Sequence, residues 1–156
     1  MKRLMKRLLV VLVLLVVMPC LCAAANPAIP LPNDVLVREP NPNLSLEFNA
    51  FLGKWGGRWY LRNSSGGLEA ILIVEEIIDE RQAIVVYGCG NSPEWGVKEG
   101  WSRFAADFGR GKKGELTLSW VVRKGKFEFQ VVKGDKLKGT LRNENYTTLI
   151  TMERIQ

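Results

Sequence analysis

The chain has 156 residues, 47% of them hydrophobic, with 22 basic and 16 acidic residues and no histidine. The lack of histidine excludes Ser-His-Asp and Cys-His catalysis, His-ligated metals and the usual near-neutral proton shuttle. Lys2, Arg3, Lys6 and Arg7 fall in the first seven residues, and the other 18 basic residues against 16 acidic leave +2, with no clustered basic face of the kind nucleic acid needs.

Those four charges precede an unbroken apolar run from Leu8 to Met18. Pro19 ends the run, and Ala23, Ala24 and Ala25 supply small residues before Asn26. The pattern is that of a secretory signal peptide over residues 1–25, so the mature protein is expected to be exported, periplasmic or secreted. The apolar run is short against the roughly 20 residues of a membrane span. An uncleaved anchor through residues 8–25 is the competing reading, and the only membrane contact the sequence offers. Acylation at Cys20 or Cys22 is a third, and the residues before each fit a lipobox poorly. Cleavage leaves Cys89 as the one cysteine of the mature chain, which rules out an internal disulfide. Stability must then come from a core, and about 130 residues suffice for one.

Residues 26–42 hold Pro27, Pro30, Pro32, Pro40 and Pro42. Repeated proline denies regular hydrogen bonding, so this stretch reads as an extended linker or a surface strap. Next, Leu44, Phe48, Phe51 and Leu52 recur at helical spacing up to Gly53, which predicts one short helix able to plug a barrel end.

From Trp55 onward eight strand-like segments follow: 55–62, 68–78, 83–89, 101–108, 115–123, 126–132, 136–142 and 146–155. Short turns rich in Gly, Asn and Asp separate most of them, the signature of consecutive hairpins. Side chains alternate. Leu116, Leu118, Trp120 and Val122 share one face of the fifth strand; Phe127, Phe129 and Val131 share one face of the sixth; Tyr146, Thr148, Ile150 and Met152 share one face of the eighth. Eight meandering strands in about 100 residues close most simply on themselves, which removes both exposed edges. The expected fold is all-β, an eight-stranded antiparallel up-and-down barrel over residues 43–156 preceded by a short helix. An open sheet or sandwich is the alternative. The second and third strands are apolar on both faces, with Ala70, Leu72, Val74 and Ile78 opposite Ile71, Ile73 and Ile77. Something must cover them outside: the helix, the proline strap or a second subunit.

A short helix, then Gly53-Lys54-Trp55 opening the first of eight up-and-down strands, resembles the calycin barrels: lipocalins, fatty-acid-binding proteins and avidins. The resemblance covers about residues 44–156. It implies that Trp55 sits at the closed end and that a basic residue late in the last strand, here Arg154, stacks across it. The chain is shorter than a lipocalin and lacks the disulfide pair and the long C-terminal helix, which points to an avidin-sized or partly filled barrel. The run Val85-Val86-Tyr87-Gly88-Cys89-Gly90 with Pro93-Glu94-Trp95-Gly96-Val97-Lys98-Glu99-Gly100-Trp101 also resembles small exported bacterial proteins, a likeness that brings no activity.

Several residues suggest a site. The loop 90–100 is the longest barrel connection and carries Trp95, which suits either a lid or a structural plug. Trp59, Tyr87, Trp101 and Trp120 suit the flat walls of a ligand cavity, or ordinary core packing. Glu75 and Glu76 are adjacent on a strand, so one is expected inward; Glu76 is the candidate orienting group, with Arg58 and Arg62 as partners. Arg103 and Asp107 read as a solvated pair on one strand face. Cys89 lacks a histidine to activate it. The basic residues between Arg110 and Lys126 sit mostly in turns and read as a solvated rim.

The expected function is non-catalytic binding of a small apolar or amphipathic molecule, without cofactor or metal. The alternative is a filled barrel that acts as an interaction module, for example a homodimer built on strands two and three. Carboxylate catalysis through Glu94 or Glu99 has no paired-acid spacing behind it.

Overall fold

The computed structural model describes residues 29–60, 66–123, 125–132 and 135–156. The expected signal peptide with Cys20 and Cys22, residues 26–28, residues 61–65 with Arg62, residue 124 and residues 133–134 lie outside the described residues. Eight strands follow a single-turn helix: α1 (Leu46–Asn49), β1 (Gly53–Tyr60), β2 (Gly67–Ile77), β3 (Gln82–Cys89), β4 (Gly100–Arg110), β5 (Leu116–Val122), β6 (Gly125–Val132), β7 (Lys136–Arg142) and β8 (Thr147–Arg154). Each pairs antiparallel with the next, and β1 pairs with β8 from Trp55↔Arg154 to Tyr60↔Leu149, so the sheet closes. The fold is an eight-stranded antiparallel up-and-down barrel with one short helix before its first strand.

Local chemistry sets the turns. Asp79 Oδ1 accepts from the backbone N–H groups of Arg81 and Gln82 at 2.7 and 2.9 Å, which folds β2 back onto β3. Asn143 Oδ1 does the same for Asn145 and Tyr146 before β8. These are side chains that replace a backbone turn partner.

The inner face is apolar all round. Trp55, Trp59, Leu72, Val74, Val85, Leu118, Phe129, Leu137 and Met152 are each at most 1% exposed. Each such side chain contributes roughly 1.5–3 kcal/mol through burial. Phe48 and Phe51 pack edge-on against Phe108, so α1 and the residues after it close one end.

At that end the Arg154 guanidinium lies over the Trp55 ring, 4.1 Å from its centroid. The same group donates to the carbonyls of Leu52 (2.7 Å) and Ala50 (2.8 Å) and to Asp135 Oδ1 (2.6 Å). Trp55 Nε1 donates to Phe51 O at 2.8 Å. Gly53 has φ +121°, and a Cβ there would meet Arg154 Nη1 at 2.6 Å. Only glycine accepts that backbone with a cation so close.

Strand β2 departs from strict alternation. Val74 pairs with Val85 but Glu76 pairs with Ile84, so Glu75 is an extra residue in the ladder. The bulge resets the phase. Ile77 therefore points inward and is buried while Ile78 is 46% exposed, the reverse of the expected order.

Residues 29–38 run along the outside of β2, β3 and β4. The N–H of Arg38 donates to Glu75 O, and that of Leu36 to Glu75 Oε1. A Cβ on Gly88 would strike Ile29 and Leu31. Outward-facing Ile73 and Val86 are fully buried. The proline-rich segment is therefore a cover over the doubly apolar strands.

Candidate functional site

The end opposite α1 is built differently. Trp59 and Leu68, Tyr87 and Cys89, Phe127, Leu141, and Tyr146 with Thr148 come from the upper ends of six strands and the turn before β8. Glu94, Trp95 and Val97 come from the 90–100 loop. Together they enclose a cavity of about 290 Å³. Such a volume sits at the lower edge of the roughly 300–1,000 Å³ typical of small-molecule sites. Hollows of about 340 and 410 Å³ also occur on the protein. The first lies by β5–β8 among Glu128, Gln130 and Lys138, and the second beside α1 with Glu80 and Arg110.

The loop over the cavity is closed by its own backbone hydrogen bonds. Ser92 and Val97 exchange two backbone hydrogen bonds of 2.8 and 2.9 Å, and a single 3₁₀ turn spans Pro93–Trp95 between them. Gly96 then turns the chain at φ +63°. The result presents the half-buried Trp95 ring to the core.

Polar groups in the lining are few. Trp59 Nε1 donates to the Tyr87 hydroxyl at 2.9 Å. Burial pushes the Tyr87 phenol far above its usual value; the nearby Cys89 adds to that rise and the Trp59 bond opposes it. Burial also pushes the Cys89 thiol up, with the backbone of Gly100 opposing. A thiol held in its neutral form is a poor nucleophile. Thr148 is 1% exposed, and its Oγ1 has no hydrogen-bond partner; nor has the buried Nε1 of Trp95. Among the described lining residues Glu94 alone carries a charge. No group of three or more His, Cys, Asp or Glu among the described residues is placed to hold a metal.

The structure brings together Trp59, Tyr87 and Trp95 from the expected set. Trp120 stacks on Phe127, Phe129 and Phe104 with centroids 5.1, 5.4 and 5.8 Å apart, and stands outside the lining. Backbone pairing between β4 and β5 covers only Asp107↔Ser119 to Arg110↔Leu116. The Phe104–Trp120 stack bridges the two strands above that point.

Two candidates lie elsewhere. Trp101 shares the outward phase of Arg103 and is 44% exposed, opposite Gly88 on the outer surface. Glu76 faces out because of the bulge and pairs with Arg38 of the strap at 3.1 Å. Glu75 is the buried one of the two, and it too is outside the barrel. It receives Arg103 Nε at 2.7 Å and Nη2 at 3.2 Å, while Arg103 also grips Asp34. Arg103 therefore anchors the strap and does not pair with Asp107. Arg58 binds Glu69 at 3.3 Å, not either member of the Glu pair.

Sequence reasoning missed Thr148, Leu68, Phe127, Leu141 and Tyr146 as site residues. A threonine among the large apolar and aromatic side chains of the face Tyr146–Thr148–Ile150–Met152 was the available signal.

No protein-family model and no curated protein sequence matches the chain. Among solved structures, the chain is similar to fatty-acid-binding protein 1 of Echinococcus granulosus, at 14% identity and a TM-score of 0.35, over 69% of this chain and 99% of that one. The barrel assignment rests on the strand pairing described above, not on that likeness.

Proposed function

We propose that this protein is an exported, non-catalytic carrier that holds one small apolar or amphipathic molecule in the upper cavity. The observation that supports this reading is the contrast between the two halves of the barrel. The lower half is packed solid around Trp55, Leu72, Phe129 and Met152. The upper half keeps about 290 Å³ walled by Trp59, Leu68, Tyr87, Phe127 and Leu141 beneath a preformed loop. A barrel serving only as an interaction module has no use for that space, and its proposed surface on β2 and β3 lies under the strap. Burial raises the Cys89 thiol, which speaks against nucleophilic catalysis at that residue.

The test is titration with the uncharged apolar fluorophore N-phenyl-naphthylamine. Saturable one-to-one binding is expected, abolished by Leu141→Trp, which fills the cavity, and unchanged by Val121→Trp on the exposed face. Binding that is absent, or equal in both variants, refutes the reading.

A further inference from the structure

Nine large apolar side chains are exposed among the described residues, and five of them stand at the cavity end: Tyr60, Trp101, Val121, Tyr146 and Leu149. Tyr60 ends β1, Trp101 is near the start of β4, Val121 near the end of β5, Leu149 near the start of β8, and Tyr146 in the turn before it. All three exposed aromatic rings of the described residues are in this group; Leu46, Ile78 and Ile155, at the closed end, are aliphatic. Single exposed apolar residues are ordinary, but their gathering at one end marks a contact surface.

Their arrangement says what the surface fits. Tyr60 pairs with Leu149 across β1 and β8, and Tyr146 leads into β8. Trp101 and Val121 belong to β4 and β5, four strands away in the closed order and so on the opposite side of the mouth. A protein groove seated on one side would miss the other. A flat apolar phase laid across the mouth meets both. Tyr and Trp carry an apolar body and a polar tip, the side chains that settle at a membrane–water boundary. Tyr146 also lines the cavity, so rim and cavity are continuous. The chain enters the described structure at the same end, where Ile29 lies against Gly88 and Gly90. The apolar run Leu8–Met18, wherever it stays attached, therefore joins the barrel at its mouth.

We propose that the cavity end docks on the surface of a phospholipid bilayer, seated by Tyr60, Tyr146 and Leu149 on one side of the mouth and by Trp101 and Val121 on the other. Docking sets the cavity mouth against the lipid, and an apolar cargo passes between the two without crossing water. The docking stands on the rim itself; the exchange of cargo rests on the carrier reading above.

The test uses phosphatidylcholine vesicles whose acyl chains carry bromine close to the headgroups, which quenches indole fluorescence at short range. Protein purified from its own host should lose fluorescence as vesicles are added, and Trp101→Phe should remove most of that loss. Tyr60→Ser with Leu149→Ser, across the mouth from Trp101, should raise the lipid concentration for half-maximal quenching roughly tenfold, the scale of two half-exposed apolar side chains. Leu46→Ser with Ile78→Ser removes comparable apolar surface at the closed end and should leave the titration unchanged. Reading the Trp101 signal judges the rim whether or not residues 1–25 are still attached. No quenching of the unmodified protein, or an equal shift in both double variants, overturns the docking. So does a lipid-free dimer that Tyr60→Ser with Leu149→Ser dissolves, which would make the rim a contact between copies. For exchange, the rate at which bound N-phenyl-naphthylamine moves to vesicles should rise with vesicle concentration; a rate independent of it overturns the exchange. A probe that never binds refutes the carrier reading and takes the exchange with it, while quenching still decides the docking.

Discussion

Removing the Arg154 side chain tests the construction of the closed end. The guanidinium sits 4.1 Å above the Trp55 ring, a contact worth about 0.5–2 kcal/mol. It also donates to Leu52 O and Ala50 O, and hydrogen bonds from charged groups contribute about 1.5–3 kcal/mol each. Ala50 O is exposed enough for water to replace the donor, so only the Leu52 bond counts at near full value. The exposed pair with Asp135 adds about 0–1 kcal/mol. These contributions span about 2–6 kcal/mol, and because the Arg154 side chain is 36% exposed the lower half applies, so Arg154→Ala should cost about 2–4 kcal/mol. At about 4 °C per kcal/mol for a domain of this size, Tm falls by roughly 8–16 °C. Urea unfolding is the assay, with the midpoint lowered and the slope unchanged. Arg154→Lys keeps the charge but not the planar fork that reaches two carbonyls at once, so it should recover less than half of the loss. A loss below about 0.5 kcal/mol for Arg154→Ala would show that the stack and both carbonyl bonds are ornamental.

Glu75→Ala should release the strap. Stability is expected to fall by about 1–3 kcal/mol, and tryptic cleavage after Arg38 should accelerate more than cleavage elsewhere. Unchanged cleavage would mean that the strap is held by its apolar contacts alone. Acid should weaken the fold with a defined sign. Arg103 holds the Asp34 carboxyl below its usual value, Arg110 does so for Glu47, and Lys136 for Glu153. Carboxyls depressed in the folded state contribute stability that is complete above their unfolded pKa of about 4 and is lost as pH falls through the lower folded values. The urea midpoint should be flat from about pH 7 to 5 and drop below about 4, less steeply in about 1 M salt because these pairs are exposed. A midpoint that rises on acidification would contradict the pairing. Cys89 should alkylate slowly at neutral pH, since burial raises its thiol, and several-fold more slowly with N-phenyl-naphthylamine bound. Alkylation indifferent to the probe would place the probe outside the cavity.

The barrel was legible because alternation and hairpin turns are local signals. Strand β7 spans 136–142 in sequence and structure alike, and the other strands differ by one or two residues at their ends. The bulge was not legible. An extra residue between Val74 and Glu76 changes no composition; it changes only what pairs with β3, and pairing is a property of two strands. That single residue sent Glu76 outward and exchanged the roles of Ile77 and Ile78. Strap docking was hidden for a similar reason. Its anchors join Asp34 to Arg103 and Leu36 to Glu75, across 69 and 39 residues. Trp101 illustrates a different limit. The phase of β4 already set it opposite Phe104 and Ala106, but an aromatic ring invites placement indoors. Of the site, the aromatic walls were readable, while the unpartnered Thr148 hydroxyl emerged only once neighbouring strands were closed around it.

Native mass spectrometry of the protein, purified gently from its own host, tests carriage most directly. Carriage in the upper cavity predicts a reproducible one-to-one adduct of a small molecule, lost on denaturation and absent from Leu141→Trp. A bare mass for both proteins, even after N-phenyl-naphthylamine is added, would contradict it.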